Sequence, residues 1–421
     1  MSNPSKRSVR FGVAAISVTA LLAVAAATTR GVQAQASLAG AAATAQERGP
    51  QPLAADAIQA AIDALGTIDA SATNAAFTAR MNAARAIRRA PADAVVPALI
   101  KAVQSHENQY VRFRALVLLT GFNDARTPPL VREIMGNPND RLRAVAYTYY
   151  EHYPSGLVLP TLLQALGRED SEFVRPALIR ALAAQGNDPR VRETLLMDVG
   201  RGQDYFRSAV IEALGDYRLT YAVEPLIATA KLGGPLQVDA VIALGKLKDQ
   251  RAMDLLAALQ RSAPRDSQPT VAAAICMLGI NCDAHVTYLI DTLRFAEKNP
   301  GFQELLRNTV TGLAAVANTG NYAALNALFE IGTPSSDPAR ARIALGVGTV
   351  AIRNTPAMLS FLEAAANRDG DIDLIAEGFD MLEEDYEEES FFAAVRRGYW
   401  RAAEESATRK VGQALIEKLE F

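Results

Sequence analysis

A pattern of apolar residues recurs along this chain at intervals of 30 to 34 residues, and this period constrains the fold more than any other feature. Each copy opens with an apolar residue, and a second follows eight positions later with further apolar residues between them. The pairs are Val111/Leu119, Leu142/Tyr150, Val174/Leu182, Phe206/Leu214, Leu236/Leu244 and, more weakly, Thr270/Leu278. Residues four and eight positions apart share one face of a helix. A fixed period of this length predicts stacked structural repeats rather than one globular core.

A second set of markers keeps the same period and predicts another helix in each repeat. It consists of prolines, each with an apolar pair shortly after it, at Pro97, Pro129, Pro160 and Pro225. Proline is tolerated near the start of a helix, where its missing N–H is not needed. Glycines such as Gly215 and Gly245 follow the apolar segments, and glycine commonly ends a helix. Each repeat is therefore predicted to be a pair of helices.

The opening and closing motifs of these repeats are similar to those of a known family. An apolar-Arg-x-x-Ala opening occurs at 111–115 and 142–146, an Ala-Leu-Gly ending at 213–215 and 243–245, and a Pro-x-Leu-Ile helix at 97–100. These motifs resemble HEAT repeats of the short bacterial type, from about residue 95 to about residue 283. The resemblance implies an all-α fold, an α-solenoid of about eight or nine helical hairpins in a right-handed superhelix. It also implies that the second helices line a concave surface.

The N-terminal segment belongs to targeting rather than to the repeats. Three basic residues within the first ten positions precede a long run of apolar and small residues, and small-x-small sites end at Ala34 and Ala36. This pattern predicts a signal peptide over residues 1–36, cleaved near Ala34 or Ala36, and export to the periplasm or medium of a bacterium. The alternative is an uncleaved membrane anchor. The remaining boundaries are a flexible lead-in at 37–53, HEAT-like repeats at 54–283, and degenerate repeats with C-terminal capping helices at 284–421.

The charge of the chain excludes one class of partner. Its formal net charge at pH 7 is −3, and the predicted signal peptide carries four positive and no negative side chains, so the mature chain is at −7. Nucleic-acid binding requires a basic surface, and we do not expect it here. Contact with a membrane is expected only if the N-terminal segment is retained.

Arginines follow the opening apolar residue in four consecutive repeats. They are Arg112, Arg143, Arg175 and Arg207, with acidic residues a few positions earlier at Asp140, Asp170 and Asp204. We interpret them as an Asp/Arg ladder between neighbouring repeats; the alternative is a basic strip for an anionic ligand. The series stops at Gln237 and Val271, after the glycines at 233 and 234. Residues 231–236 are therefore a candidate for a local change in curvature.

Two clusters are candidates for binding a protein partner. The first combines aromatic residues and arginine, which often anchor protein interfaces, at Arg141, Arg143, Tyr147, Tyr149 and Tyr153. Tyr150 takes a core position in the same helix, so part of this cluster is expected to fill space. The second is the acidic segment 369–390, in which the candidate residues are Glu383, Glu384, Asp385, Glu387 and Glu388. Such dense like charge resists burial, so the segment is either a solvated loop or a docking surface for basic groups.

The cysteines, the histidines and the sequence motifs do not indicate a catalytic or metal-binding site. Cys276 and Cys282 can form a disulfide in an oxidising compartment if the chain reverses at Gly279, and otherwise Cys276 packs as a small apolar residue. One His-Glu pair, His106-Glu107, does not make a metal site, which needs three or four ligands. We predict no catalytic residue, no metal and no cofactor.

The function predicted from these features is an exported, non-enzymatic scaffold that binds a protein or peptide through its concave surface. This prediction rests partly on analogy, because a fold does not determine a function. A first alternative is a small-molecule-binding protein or lyase-like enzyme of the HEAT type. A second is a membrane-anchored structural spacer of the cell envelope.

Overall fold

A computed structural model describes residues 52–67, 73–365, 369–382, 386–419 and 421. The predicted signal peptide and most of the lead-in lie outside these residues. In the described residues the chain forms α-helices and three short 3₁₀ turns, with no strand. The predicted all-α solenoid is confirmed. None of the described helices is both long enough and apolar enough to cross a membrane.

The described residues contain 22 α-helices, numbered here in chain order. They are α1 (Ala55–Ala64), α2 (Thr73–Arg89), α3 (Ala92–Ser105), α4 (Gln109–Thr120), α5 (Thr127–Ile134), α6 (Asp140–His152), α7 (Leu159–Leu166), α8 (Arg175–Ala183), α9 (Pro189–Asp198), α10 (Asp204–Asp216), α11 (Val223–Leu232), α12 (Gln237–Leu247), α13 (Met253–Ser262), α14 (Gln268–Met277), α15 (Cys282–Glu297), α16 (Gln303–Ala317), α17 (Tyr322–Gly332), α18 (Ala339–Arg353), α19 (Thr355–Ala364), α20 (Asp369–Asp380), α21 (Glu389–Arg401) and α22 (Ala407–Lys418).

Consecutive helices form pairs, with odd-numbered helices first and even-numbered helices second. Within the described part of the chain they make eleven pairs, rather than the eight or nine expected. The additional pairs lie toward the ends, where the sequence lacks the full repeat motif. Terminal repeats face water on one side and are expected to depart from the motif.

The second helices stack closely on one another along the inside of the solenoid. Small residues permit this approach: a Cβ on Gly245 would lie 2.6 Å from Ala274 Cα, and one on Gly378 would collide with the backbone of Ala344 and lie 3.0 Å from Gly348 N. Most successive first helices contact one another much less. Closer spacing of the inner layer than of the outer layer curves the stack.

The curved stack closes on itself. Helix α21 packs against α4 as well as against its own partner α22. The ring of Tyr386 meets that of Phe113 edge to face at 6.5 Å between centroids, and Tyr386 belongs to the hydrophobic core of the N-terminal repeats. The last hairpin therefore joins the first repeats, and the concave surface surrounds a common interior.

A buried ionic cluster lies at this closure. Arg88 donates from Nε and Nη2 to Glu389 Oε2 at 3.0 and 2.8 Å, and Arg396 Nη2 donates to Glu389 Oε1 at 3.1 Å. All three side chains are buried, and burial lowers the pKa of Arg396. Gly121 leaves the space that the Glu389 carboxylate occupies. One carboxylate thus holds two arginines that come from opposite ends of the chain.

The arginine series has a different role from the predicted ladder. Arg112 Nε donates to Val103 O at 2.7 Å, and Arg207 Nε donates to Val199 O at 2.9 Å. These carbonyls lie at the end of the first helix of the same repeat, where they lack helical partners. Gln237, at which the series was predicted to stop, makes the same kind of bond. In these three repeats the position therefore caps the first helix, and the amide of Gln237 does this as well as a guanidinium.

Neighbouring repeats are joined by other contacts. Arg143 forms a two-pronged pair with Glu169, from Nε and Nη2, at 2.7 and 2.6 Å. The Arg175 guanidinium lies 3.9 Å from the centroid of the Phe206 ring. Arg143 thus makes an ion pair between repeats, with a glutamate rather than an aspartate, and Arg175 makes a cation–π contact.

Candidate functional site

The interior of the solenoid contains an open cavity of about 510 Å³, here called the interior cavity. One wall comes from α6, α8, α10 and α12, and the other from α16, α18 and α21. Its size is within the range of roughly 300–1,000 Å³ typical of ligand pockets. The walls belong to repeats that are far apart in sequence, and they meet because the solenoid closes.

Charged residues gather at the interior cavity because the second helices end there. Glu151, Asp216 and Arg353 all lie in the last turns of their helices. The free carbonyl groups at a helix C-terminus favour cations and disfavour carboxylates. Glu151 and Asp216 therefore require compensating positive groups.

A chain of ion pairs supplies this compensation. Arg180 donates from Nε to Glu151 Oε1 at 2.8 Å and from Nη1 to Asp216 Oδ2 at 2.9 Å. Lys246 Nζ donates to Asp216 Oδ1 at 2.6 Å, and the Tyr217 hydroxyl donates to Glu151 Oε1 at 2.9 Å. The network links the C-terminal ends of four second helices, α6, α8, α10 and α12, along one wall.

The network shifts the protonation equilibria of its members. Burial opposes ionisation of Glu151, but Arg180 and Arg353 outweigh it and hold its pKa below the ordinary value. The pKa of Asp216 is lowered in the same way by Lys246 and Arg180 against the effect of burial. Burial lowers the pKa of His152, and Arg353 adds to this effect while Glu151 opposes it. At neutral pH the wall thus contains two carboxylates and a neutral imidazole.

Three further arginines line the interior cavity with weaker pairing. Arg353 lies 3.7 Å from both Glu151 and Glu387, a long distance for an ion pair. Arg218 and Arg397 are exposed to the cavity, and no acidic side chain among the described residues pairs with either of them. The interior cavity therefore presents two guanidinium groups, those of Arg218 and Arg397, without an acidic partner among the described residues.

A smaller cavity of about 270 Å³ adjoins the first. Lys246, Ala315 and Asn318 line both cavities. Asp239 lies in the wall of the smaller one, where it accepts from the Ser208 hydroxyl at 2.7 Å, and burial raises its pKa. The two cavities form one continuous polar interior.

A second candidate surface lies at the turns that connect the first and second helices of a repeat. Three large apolar side chains are exposed there in successive repeats: Phe173 at 72%, Tyr205 at 60% and Leu232 at 82%. We call these three residues the connector edge. Phe173 and Tyr205 hold the same repeat position, just before the opening apolar residue. Arg141, predicted from sequence as a binding residue, occupies that position one repeat earlier and is also exposed.

The tyrosine cluster does not form an exposed patch. Tyr147 and Tyr149 are buried, because α6 is enclosed on nearly every side by neighbouring helices. The Tyr147 hydroxyl donates to Glu169, which Arg143 also contacts. Tyr153 is half-buried and lines the interior cavity. Of this cluster Arg141 is exposed and Arg143 and Tyr153 are half-buried, and partner binding by the cluster stays a prediction.

The acidic segment is only partly described. Glu383, Glu384 and Asp385 lie outside the described residues. Glu387 approaches Arg353 at the interior cavity, and Glu388 is half-buried just before α21. The described part of the acidic segment thus faces arginines of the same chain, and its role in partner binding also stays a prediction.

Cys276 and Cys282 are joined by a disulfide with an S–S distance of 2.02 Å. The chain reverses between them at Gly279, which has a φ of +84°. This is the reversal that bridging requires. Among the described residues, no three His, Cys, Asp or Glu side chains are arranged to hold a metal ion.

Comparisons with known proteins concern mainly the fold. Residues 68–151 match the family model for HEAT repeats. No curated protein matches the chain. Among solved structures the chain is similar to the crystal structure of a Kap121p mutant, with 13% identity and a TM-score of 0.37, over 94% of this chain and 50% of that one. The chain thus spans half the length of that protein.

HEAT repeats occupy residues 68–151, and helical pairs of the same kind continue on both sides of the interior cavity. The described residues therefore form an all-α solenoid in which residues 68–151 match HEAT repeats.

Proposed function

We propose that this protein is an exported, non-enzymatic scaffold and that it binds a protein partner at the connector edge. The observation that carries the proposal is the exposure of Phe173, Tyr205 and Leu232 in consecutive repeats. Solenoids of this type generally bind proteins, which agrees with the proposal without establishing it.

The physical argument is the cost of leaving such side chains in water. Burying a large apolar side chain yields about 1.5–3 kcal/mol, so a series of them at one edge favours association. Equivalent positions of packed helices lie about 10 Å apart, a spacing at which Phe173 and Tyr205 can contact one partner surface together. Arg141 extends the series by one repeat, and arginine and aromatic residues are the common anchors of protein interfaces.

The interior suits a different kind of occupant. Because α21 closes the solenoid against α4, the concave surface is reduced to cavities of about 510 and 270 Å³. A folded partner requires roughly 800 Å² of contact surface on each protein, which the outer edge can supply and these cavities cannot. We therefore assign the protein partner to the edge and reserve the interior for a short segment or a small ligand.

The test uses a matched pair of triple variants of the mature protein. The edge variant is Phe173→Ser, Tyr205→Ser and Leu232→Ser; the control variant is Phe77→Ser, Leu157→Ser and Tyr322→Ser, which removes exposed apolar side chains elsewhere. Each is used as bait in the envelope fraction of its own organism, and captured proteins are quantified by mass spectrometry. A partner should be retained by the wild type and the control and depleted about tenfold or more with the edge variant. If the edge variant and the control variant retained the partner equally, the connector edge would not be its binding site.

Export is tested separately by determining the N-terminus of the native protein. A mature chain that begins at Gln35 or Ser37 and is recovered from the periplasm or medium supports the proposal. A chain that begins at Met1 and is recovered with membranes would replace the exported scaffold with the anchored spacer.

A further inference from the structure

The interior cavity is positively charged although the protein as a whole is acidic. Its lining contains five cations, namely Arg180, Arg218, Lys246, Arg353 and Arg397, against two carboxylates, Glu151 and Asp216. The lining therefore has three positive charges in excess, whereas the whole chain has a formal charge of −3. A concave surface with charge of one sign concentrates its field and attracts ions of the other sign.

Two of these cations have no acidic partner. Arg180 and Lys246 are held by Glu151 and Asp216 at 2.6–2.9 Å, and Arg353 lies 3.7 Å from both Glu151 and Glu387. Arg218 and Arg397 pair with no acid among the described residues. Structural ion pairing therefore accounts for three of the cations and leaves Arg218 and Arg397 available to a ligand.

Arg218 and Arg397 come from different parts of the solenoid. Arg218 follows α10 on one wall, whereas Arg397 lies on α21 of the other wall. Guanidinium groups bind carboxylates in a planar, two-pronged geometry, so a carboxylate ligand in the cavity can be held from both walls.

We propose that the interior cavity binds a ligand that carries carboxylate groups, held between Arg218 on one wall and Arg397 on the other. The ligand is either a free polycarboxylic acid or the acidic end of a peptide, which offer the same groups to the site. This site is separate from the connector edge and does not depend on the proposed function.

The test measures binding of citrate and of a short glutamate-rich peptide to the mature protein by isothermal titration calorimetry. The site variant is Arg218→Met with Arg397→Met; both side chains are exposed and unpaired, so the fold should be unaffected. The control variant is Arg168→Met with Arg261→Met, which makes the same change of charge at exposed arginines outside the cavity.

The expected result is binding of one probe or both to the wild type and the control, weakened about tenfold or more in the site variant. Binding of citrate alone identifies a free acid as the ligand, and binding of the peptide alone identifies a peptide end. No binding of either probe, or equal weakening in both variants, overturns the proposal. The edge variant tests partner binding at the connector edge, and the site variant tests ligand binding in the interior cavity. Either proposal can therefore fail without the other.

Discussion

At the scale of single residues, the interior wall depends on Arg180. This side chain is buried and connects the carboxylates of Glu151 and Asp216. Breaking a buried ion pair by removing one partner is costly, because it leaves the other charge without compensation. The cost depends on pH, since a protonated carboxyl group needs no partner.

We expect Arg180→Met to lower the free energy of unfolding at pH 7 by about 3–5 kcal/mol. The pKa of Glu151 is lowered in the folded protein, so its ionised form stabilises the fold above the ordinary pKa and this contribution is lost as the pH falls. The difference between variant and wild type should therefore stay full between pH 7 and the ordinary glutamate pKa of about 4.3, and should shrink below it, by about pH 3.

Urea unfolding at both pH values measures this difference. Arg190→Met is the control, because the pair of Arg190 with Asp188 lies on the surface and should matter little. A loss of the same size at both pH values would contradict the account.

The repeat period made most of the fold predictable from the sequence. The roles of individual side chains could not be predicted in the same way. The arginines after the opening apolar residue are visible in the sequence, whereas their bonds to backbone carbonyls are not. Tyr147 and Tyr149 were difficult to place because α6 is buried on nearly all sides, so no single face distinguishes core from surface. The exposure of Phe173 and Tyr205 could have been predicted from the sequence. Both are large aromatic residues at the position just before the opening apolar residue of a repeat.

At the scale of helices, curvature depends on close approach within the inner layer. Gly378 on α20 lies directly against the backbone of α18, near Ala344 and Gly348. Backbone atoms of two packed helices cannot move aside as a flexible side chain can. A methyl group at this position must therefore separate the two helices.

Gly378→Ala should destabilise the protein by about 1–3 kcal/mol, since the overpacking exceeds the gain of at most about 1 kcal/mol in helix propensity. Gly156→Ala is the matched control, because a Cβ there meets nothing within 4 Å. Thermal and urea unfolding of both variants provide the measurement. A variant at Gly378 as stable as the wild type would show that the inner layer tolerates wider spacing.

At the scale of the whole described unit, closure brings together groups that no local pattern connects. Glu389 and Arg88 are 301 residues apart, and the walls of the interior cavity come from α6–α12 and α16–α21. A period of about 32 residues predicts contacts between neighbours only. The sequence therefore could not predict the interior cavity, although it predicted the helices that line it.

Removing the central carboxylate should open this closure. In Glu389→Ala the buried Arg88 and Arg396 lose their shared partner, a change that costs about 3–5 kcal/mol at a buried site. Amide hydrogen exchange should accelerate in α4 and α21, and the radius of gyration from X-ray scattering should increase. Glu405→Ala, at an exposed pair with Lys410, should change neither. Unchanged exchange in α4 would contradict this role of Glu389.

Closure also changes how the protein folds. In an open solenoid each repeat contacts only its neighbours, so end repeats can fray independently and folding can start anywhere. Here the contact between α4 and α21 forms only after the intervening repeats have stacked and brought the two ends together, and this adds a loop-closure entropy at the last step. Once formed, the contact leaves no free end to fray. The described unit should therefore unfold as one cooperative body, and deletion of its last hairpin should loosen the first repeats as well as the last.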